Sequence, residues 1–107
     1  MTPVAEVSIP HHLRNLRRLG VIDRLAGEVA LEGSVSVEDS GHGQESYELL
    51  LRAGEKLKSM GAGAVVLGCA GMSGHRKRLE KELGLWIVDP TQAAVAMAFG
   101  NLVTGVL

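Results

Sequence analysis

The sequence predicts an α/β fold, in which a parallel sheet of about four strands lies between two layers of helices. Segments patterned as strands alternate along the chain with segments patterned as helices. Two short apolar runs also lack the polar alternation of strands that face water, which is typical of parallel sheets. Because 107 residues are enough to bury a core, we expect residues 1–107 to form a single domain.

The first half of the chain predicts a strand, a helix, two further strand-like segments and a second helix. Residues 4–9 are patterned as a strand, and Pro10 suits the first turn of the helix that follows. Residues 28–32 and 34–38 alternate between polar and apolar side chains, as half-buried strands do. Helical periodicity then returns over residues 44–60, and the glycine that follows is a plausible helix end.

The second half predicts two buried strands joined by a charged helix. Residues 64–67 form an apolar run, followed directly by the turn Gly-Cys-Ala-Gly at residues 68–71. A charged helix is predicted over residues 72–83 and ends at Gly84. Residues 86–88 are predicted to be the next buried strand.

The last helix has a strong start signal and no charge. Asp89 is predicted as its N-cap and Pro90 as its first residue. Residues 91–107 are apolar nearly all round, but the segment is short for a membrane span and contains two glycines. We therefore expect this helix to pack on the sheet on one side and on another domain or subunit on the other.

Composition excludes several classes of function. A net charge of −1 leaves no basic excess to neutralise phosphates, so we expect no nucleic-acid partner. A single cysteine excludes an internal disulfide and suits a reducing compartment, so we expect a cytoplasmic protein without a secretory signal. No spacing resembles a zinc site, a P-loop or a dinucleotide fingerprint, and we expect no metal or cofactor.

Cys69 is the main candidate for chemistry. It follows a predicted parallel strand and precedes a helix, and open α/β sheets bind ligands at such strand ends. The free amides and partial positive charge of a helix start favour a thiolate. Gly68 and Gly71 leave room for a substrate and for backbone amides that face an anionic oxygen. The alternative is that Cys69 is a small residue of the hydrophobic core.

Residues 65–72, Val-Val-Leu-Gly-Cys-Ala-Gly-Met, resemble the second cysteine motif of the hydantoin racemase group in the aspartate/glutamate racemase superfamily. Residues 82–84 and 87–90 also fit the C-terminal pattern of that superfamily, and so does the opening stretch 8–10. The similarity spans nearly the whole chain. It implies a three-layer, flavodoxin-like domain equivalent to the C-terminal half of a two-domain racemase.

The resemblance also implies a reaction. In such enzymes each half contributes one cysteine: a thiolate removes the proton on the α-carbon, and a thiol returns a proton from the opposite face. No metal or organic cofactor is used, and the substrates are amino acids or hydantoin- and allantoin-type derivatives. By resemblance, Cys69 is the second acid/base cysteine, Gly68, Ala70 and Gly71 form its backbone cradle, and Ser8 binds substrate.

The sequence departs from this pattern because Cys69 is the only cysteine in the chain. One cysteine can exchange a proton on one face of a carbon but cannot by itself invert the centre. Three interpretations stay open: an inactive, truncated domain that only binds a partner; two copies, or a complementary half, that supply the second thiol; and a one-cysteine decarboxylase.

The four histidines are weaker candidates. His11 and His12 are adjacent on a predicted helix and point apart, so a solvated face is expected. His42 lies in a Gly-rich loop that could reach the strand ends. His75 lies beyond Cys69 on the charged helix, where a solvated position is expected beside the pairs formed by Arg76 with Glu80 and by Arg78 with Glu82.

Overall fold

The computed structural model describes residues 5–31 and 43–105 and shows an α/β architecture around a small parallel sheet. The helices are α1 (Ala5–Arg18), α2 (Gln44–Ser59), α3 (Arg76–Leu83) and α4 (Pro90–Thr104). The strands are β1 (Ala64–Val66) and β2 (Trp86–Val88), and two 3-10 helices span Ile22–Arg24 and Ala70–His75.

The two strands run parallel and end at the same edge of the sheet. Ala64 lies opposite Trp86, and Val66 lies opposite Val88. The amide of Leu67 extends the ladder by donating to the Val88 carbonyl at 2.9 Å. The connection between the strands passes through the 3-10 helix Ala70–His75 and α3, as a parallel pair requires. Both predicted buried strands are thus confirmed as strands.

Two other strand predictions fail in the described part of the chain. Residues 5–9 belong to α1, because Ile9, Leu13 and Leu16 continue one helical face on which all three side chains are half-buried. Residues 28–31 adopt neither helix nor strand and pair with no strand among the described residues. The segment 34–38 lies outside the described residues. A sheet of four strands and a three-layer arrangement therefore stay predictions.

Only one face of the sheet is buried by the described residues. Val65 and Ile87 join a core built with side chains from α2, α3 and the 3-10 helix between them. That core consists of Tyr47, Leu50, Val65, Leu67, Met72, Leu79, Leu83 and Ile87. On the opposite face Val66 and Trp86 are 65% and 75% exposed. The prediction that both faces are buried is wrong for this part of the chain, because no described helix covers the second face.

Helices α2 and α3 approach each other closely where Gly54 faces Leu83. A Cβ atom on Gly54 would lie 2.5 Å from a terminal methyl group of Leu83, so a larger residue would push the helices apart. At the end of α3, Gly84 adopts φ 65°, and its amide donates to the Glu80 carbonyl at 3.0 Å. This left-handed cap confirms the predicted helix end.

Helix α4 starts as predicted but does not pack as predicted. Its N-cap Asp89 accepts a hydrogen bond from the Gln92 amide at 2.8 Å, and Pro90 is the first helical residue. None of its residues is buried, and its principal neighbour is the 3-10 helix Ala70–His75 rather than the sheet. Its large apolar side chains, Val95, Met97, Phe99, Leu102 and Val103, are exposed. No helix among the described residues is long and apolar enough to span a membrane.

Candidate active site around Cys69

Cys69 lies just beyond the carboxyl end of β1, in extended conformation, as the N-cap of the 3-10 helix Ala70–His75. Its carbonyl accepts a hydrogen bond from the Met72 amide at 3.0 Å, which starts that helix. Residues 65, 67 and 69 alternate in burial with the exposed residues 66 and 68, so Cys69 faces the same side of the sheet as the core. The thiol is free and half-buried, and it packs against the edge of the core without being enclosed.

The residues flanking Cys69 leave one side of it open. Gly68 is exposed, and Gly71 is half-buried. The helix that follows is 3-10 over six residues and becomes α-helical only at Arg76, whereas the sequence predicted one helix over residues 72–83. Backbone amides at a helix start have no partner within the helix, so they can face an anionic group beside the thiol.

The 3-10 helix after Cys69 is attached to the rest of the molecule by two buried side chains. Met72 is 1% exposed and lies in the core, and His75 is 7% exposed. His75 Nε2 lies 3.0 Å from Ser46 Oγ of α2. The prediction of a solvated His75 is wrong, because residues three apart in a 3-10 helix share one face and His75 therefore follows Met72 inward. The three-residue spacing of Met72 and His75 is present in the sequence, but the sequence did not predict the 3-10 helix in which this spacing places both side chains on one face.

Tyr47 contacts both the His75 ring and the Arg78 guanidinium group. Its ring centroid lies 5.6 Å from that of His75, and the Arg78 guanidinium carbon lies 3.7 Å above the Tyr47 ring. Burial, together with the neighbouring Glu82 carboxylate, raises the pKa of Tyr47 to about 12, and Arg78 opposes this rise. The phenol is therefore neutral and acts as a packing surface for His75.

The raised pKa of Tyr47 predicts a loss of stability at high pH. In the unfolded chain the phenol ionises near pH 10, whereas in the folded chain it stays protonated up to about 12. The free energy of unfolding should thus fall as pH rises through this window, because only the unfolded state releases the proton. Tyr47 is the only tyrosine, so tyrosinate absorbance during an alkaline titration reports on it alone. Tyr47→Phe should flatten the decline, and a tyrosinate signal that develops near pH 10 before unfolding would contradict the prediction.

Helix α3 carries two ion pairs along its own surface and one side-chain hydrogen bond to β2. Arg76 lies 3.5 Å from Glu80, and Arg78 lies 3.3 Å from Glu82, so both predicted pairs are confirmed. Glu80 also accepts a hydrogen bond from the Ile87 amide of β2 at 3.0 Å. The bond between Glu80 and Ile87 holds α3, the helix that follows the Cys69 turn, against β2.

A second polar side chain lies at the same sheet edge as Cys69. Asp89 directly follows β2 and is 2% exposed. One of its carboxylate oxygens caps α4, and the other is buried without a hydrogen-bond partner among the described residues. An unpartnered buried acceptor costs about 1–3 kcal/mol. The sequence predicted the capping role of Asp89 but gave no signal for this second oxygen.

The remaining candidate residues lie elsewhere. Ser8 is half-buried near the start of α1, and its role in substrate binding stays a prediction. His11 and His12 are exposed, and His12 contacts Glu28. His42 lies outside the described residues.

A groove of about 590 Å³ runs along β1 on the side of α1, but it does not include Cys69. Its lining includes Leu16, Ala26, Leu57 and Val66, and its ionisable groups are His12, Arg24 and Glu28. A second groove of about 390 Å³ lies between α2 and residues 28–31, with Ile9 of α1 at its edge, and also lacks Cys69. The Cys69 thiol therefore lies at the strand edge and outside both grooves.

The fold and the site together define an α/β protein with a cysteine thiol at the carboxyl edge of a parallel sheet, beside a helix start and two glycines. The sequence profile of the Asp/Glu/hydantoin racemase family matches residues 1–98. The chain therefore belongs to the Asp/Glu/hydantoin racemase family.

Two curated relatives are similar to the chain. A hydantoin racemase from Paenarthrobacter aurescens is 37% identical over 90 residues, which cover 81% of this chain and 37% of that protein. A hydantoin racemase from Rhizobium meliloti is 46% identical over 63 residues, which cover 58% of this chain and 26% of that protein. The chain thus spans little more than a third of the length of the first relative and about a quarter of the length of the second. No solved structure matches it.

Proposed function

We propose that the chain is a racemase-like isomerase in which Cys69 transfers a proton at the α-carbon of an amino acid or a hydantoin-type derivative, without a cofactor. Membership in the racemase family supports the reaction class, and the names of both relatives favour a hydantoin substrate. The observation that carries the proposal is the position of Cys69. Its half-buried thiol lies at the carboxyl edge of the sheet and not inside the core.

The surroundings of Cys69 suit proton transfer to and from carbon. As a thiolate it accepts the α-proton, and as a thiol it returns one to the resulting carbanion. Negative charge then develops on the carbonyl oxygen next to the α-carbon, and backbone amides at the start of the 3-10 helix are suited to stabilise it. Gly68 and Gly71 have no side chains that would keep a substrate from these amides. Gly68, Ala70 and Gly71 are accordingly proposed to contact the substrate.

Inversion of the α-carbon requires a second acid/base group on the opposite face. We propose that residues 1–107 act as one racemase half, and that a second copy or a complementary half supplies this group. The exposed apolar residues of α4 and the uncovered face of the sheet support a protein partner, since large apolar patches commonly mark interfaces. The single cysteine suits the cytoplasm as the compartment for this proposed activity.

A binding module without activity is the second candidate. The exposed side chains of α4 favour it, because an uncharged helix that buries none of its residues is suited to binding another surface. On this interpretation, Cys69 is a structural residue at the edge of the core.

Hydrogen exchange at the α-carbon distinguishes the two candidates. The chain is incubated in deuterium oxide with one enantiomer of 5-benzylhydantoin, and separately with one enantiomer of an amino acid. Loss of the α-proton signal is followed by NMR, and optical rotation is followed in parallel. We expect exchange above the protein-free rate for a hydantoin, and abolition of that exchange after alkylation of Cys69 with iodoacetamide. Exchange no faster than in the protein-free sample would favour the binding module.

Retention or inversion of configuration at the α-carbon indicates whether a second acid/base group takes part in the reaction. A single thiol acting alone should exchange the proton with retention of configuration. If two copies face each other, we expect racemisation with a specific activity that rises with protein concentration, together with a dimer in analytical ultracentrifugation. Racemisation by a strict monomer would contradict the requirement for a second copy.

A further inference from the structure

We propose that His75, held by Ser46, is a positioning residue that sets the location of the Cys69 thiol. The inference rests on the proposed function of Cys69 and adds to it a pair of residues that do not touch the substrate. The structural basis is the 3-10 helix Ala70–His75, which begins at Cys69 and ends at His75.

The contacts at the two ends of this short helix are unequal. At its start, the backbone hydrogen bond from the Met72 amide to the Cys69 carbonyl closes the first turn. At its end, His75 crosses to α2 and meets Ser46, a residue 29 positions earlier in the chain, at 3.0 Å. Both partners are buried, with Ser46 4% and His75 7% exposed. A 3-10 helix has poorer hydrogen-bond geometry than an α-helix, so its placement depends strongly on such side-chain anchors.

The direction of the hydrogen bonds follows from the donors available. Ser46 Oγ lies 3.2 Å from the Gly43 carbonyl, which can only accept. A hydroxyl has one proton, so Ser46 donates it to Gly43 and accepts from His75 Nε2–H. Both contacts are satisfied together only in this arrangement. The hydrogen bond to Ser46 thus uses the Nε2–H group of His75 as its donor.

The part of α2 that contacts His75 is also held by Arg78 of α3. Tyr47 packs on the His75 ring, and the Arg78 guanidinium carbon lies 3.7 Å from the centroid of the Tyr47 ring. Arg78 also donates to the Gln44 side chain at 2.9 Å and so joins α3 to the start of α2. Because α2 stays joined to α3 through Arg78 and Gln44, loss of the His75–Ser46 bond should release the 3-10 helix rather than α2. Displacement of a catalytic group by about 1 Å is enough to reduce turnover substantially.

Two amide variants of His75 provide a matched test. The side-chain amide of His75→Gln reaches the position of Nε2 and can donate to Ser46, whereas the shorter amide of His75→Asn cannot. Ser46→Ala removes the acceptor instead. We expect His75→Asn and Ser46→Ala each to lower kcat for α-proton exchange about tenfold with little change in KM. His75→Gln should stay within about threefold of the wild type, and the double variant Ser46→Ala/His75→Asn should be no worse than either single variant.

Alkylation of Cys69 separates this inference from the proposed function. A released turn should expose the half-buried thiol, so His75→Asn and Ser46→Ala should react with iodoacetamide about threefold or more faster than the wild type, and His75→Gln should match it. Unfolding temperatures are measured alongside to show that the variants are folded. If the wild type catalyses no exchange, the proposed function fails, and the alkylation rates alone decide on His75. Equal rates in all variants, or a His75→Gln variant as impaired as His75→Asn, would overturn the positioning role.

Discussion

Replacement of Cys69 with serine is expected to reduce α-proton exchange by about a hundredfold to ten-thousandfold, the usual contribution of a positioned acid/base group. The substitution keeps the size and the backbone of the turn, because the hydrogen bond at Cys69 is made by its carbonyl and not by its side chain. A hydroxyl is a far weaker acid than a thiol and cannot supply a base at neutral pH. The measurement is the first-order loss of the α-proton signal in deuterium oxide.

Ser73→Ala is the matched control for Cys69→Ser. Ser73 lies in the same 3-10 helix and is half-buried, and its carbonyl accepts from the Arg76 amide, which the substitution leaves in place. We expect this variant to exchange the proton at close to the wild-type rate. If Cys69→Ser retained full exchange activity, the acid/base role of Cys69 would be wrong, and its position at the sheet edge would be purely structural.

Replacement of Leu79 with alanine is expected to lower the free energy of unfolding by about 2–5 kcal/mol. Leu79 is 2% exposed and lies on α3, where it contributes to the core between the helices and the sheet. Its removal leaves a cavity that the closely packed helices cannot easily fill, since Gly54 already brings α2 against Leu83. Urea denaturation followed by circular dichroism measures the change.

Leu19→Ala makes the same chemical change at an exposed position. Leu19 follows α1 and is 73% exposed, so we expect a change in the free energy of unfolding within about 0.5 kcal/mol. A comparable loss of stability in both variants would show that the core described around Leu79 does not dominate the stability of this chain.

Several features of the fold follow from local sequence and were predicted on that basis. The apolar runs at residues 64–67 and 86–88 form the parallel strands, and Asp89 with Pro90 starts α4 as expected. Ends of helices are set by groups a few residues apart, such as the side chain of Asp89 and the amide of Gln92. All the residues that determine such a helix end lie within a few positions of one another, so the sequence alone predicts it.

Other features depend on parts of the molecule that no short window contains. Residues 5–9 have a strand-like pattern, but the apolar face they share with Leu13 and Leu16 makes them helical. Strand formation at residues 28–31 would need a neighbour to pair with, and the described residues provide none. Likewise, the apolar pattern of β1 and β2 does not reveal that one sheet face lies exposed, since exposure depends on which helices cover it.

The sequence by itself determined that the one cysteine of the chain lies where a strand passes into a helix, because hydrophobic periodicity and glycine placement are local properties. It also determined the family, through the string around Cys69. Only the tertiary structure decided that His75 is buried against Ser46 and Tyr47, because these residues are distant along the chain and meet only when α2 and the 3-10 helix pack together. The physical reason for the difference is range: backbone hydrogen bonding and periodicity act over a few residues, whereas burial of a side chain is a property of the assembled core.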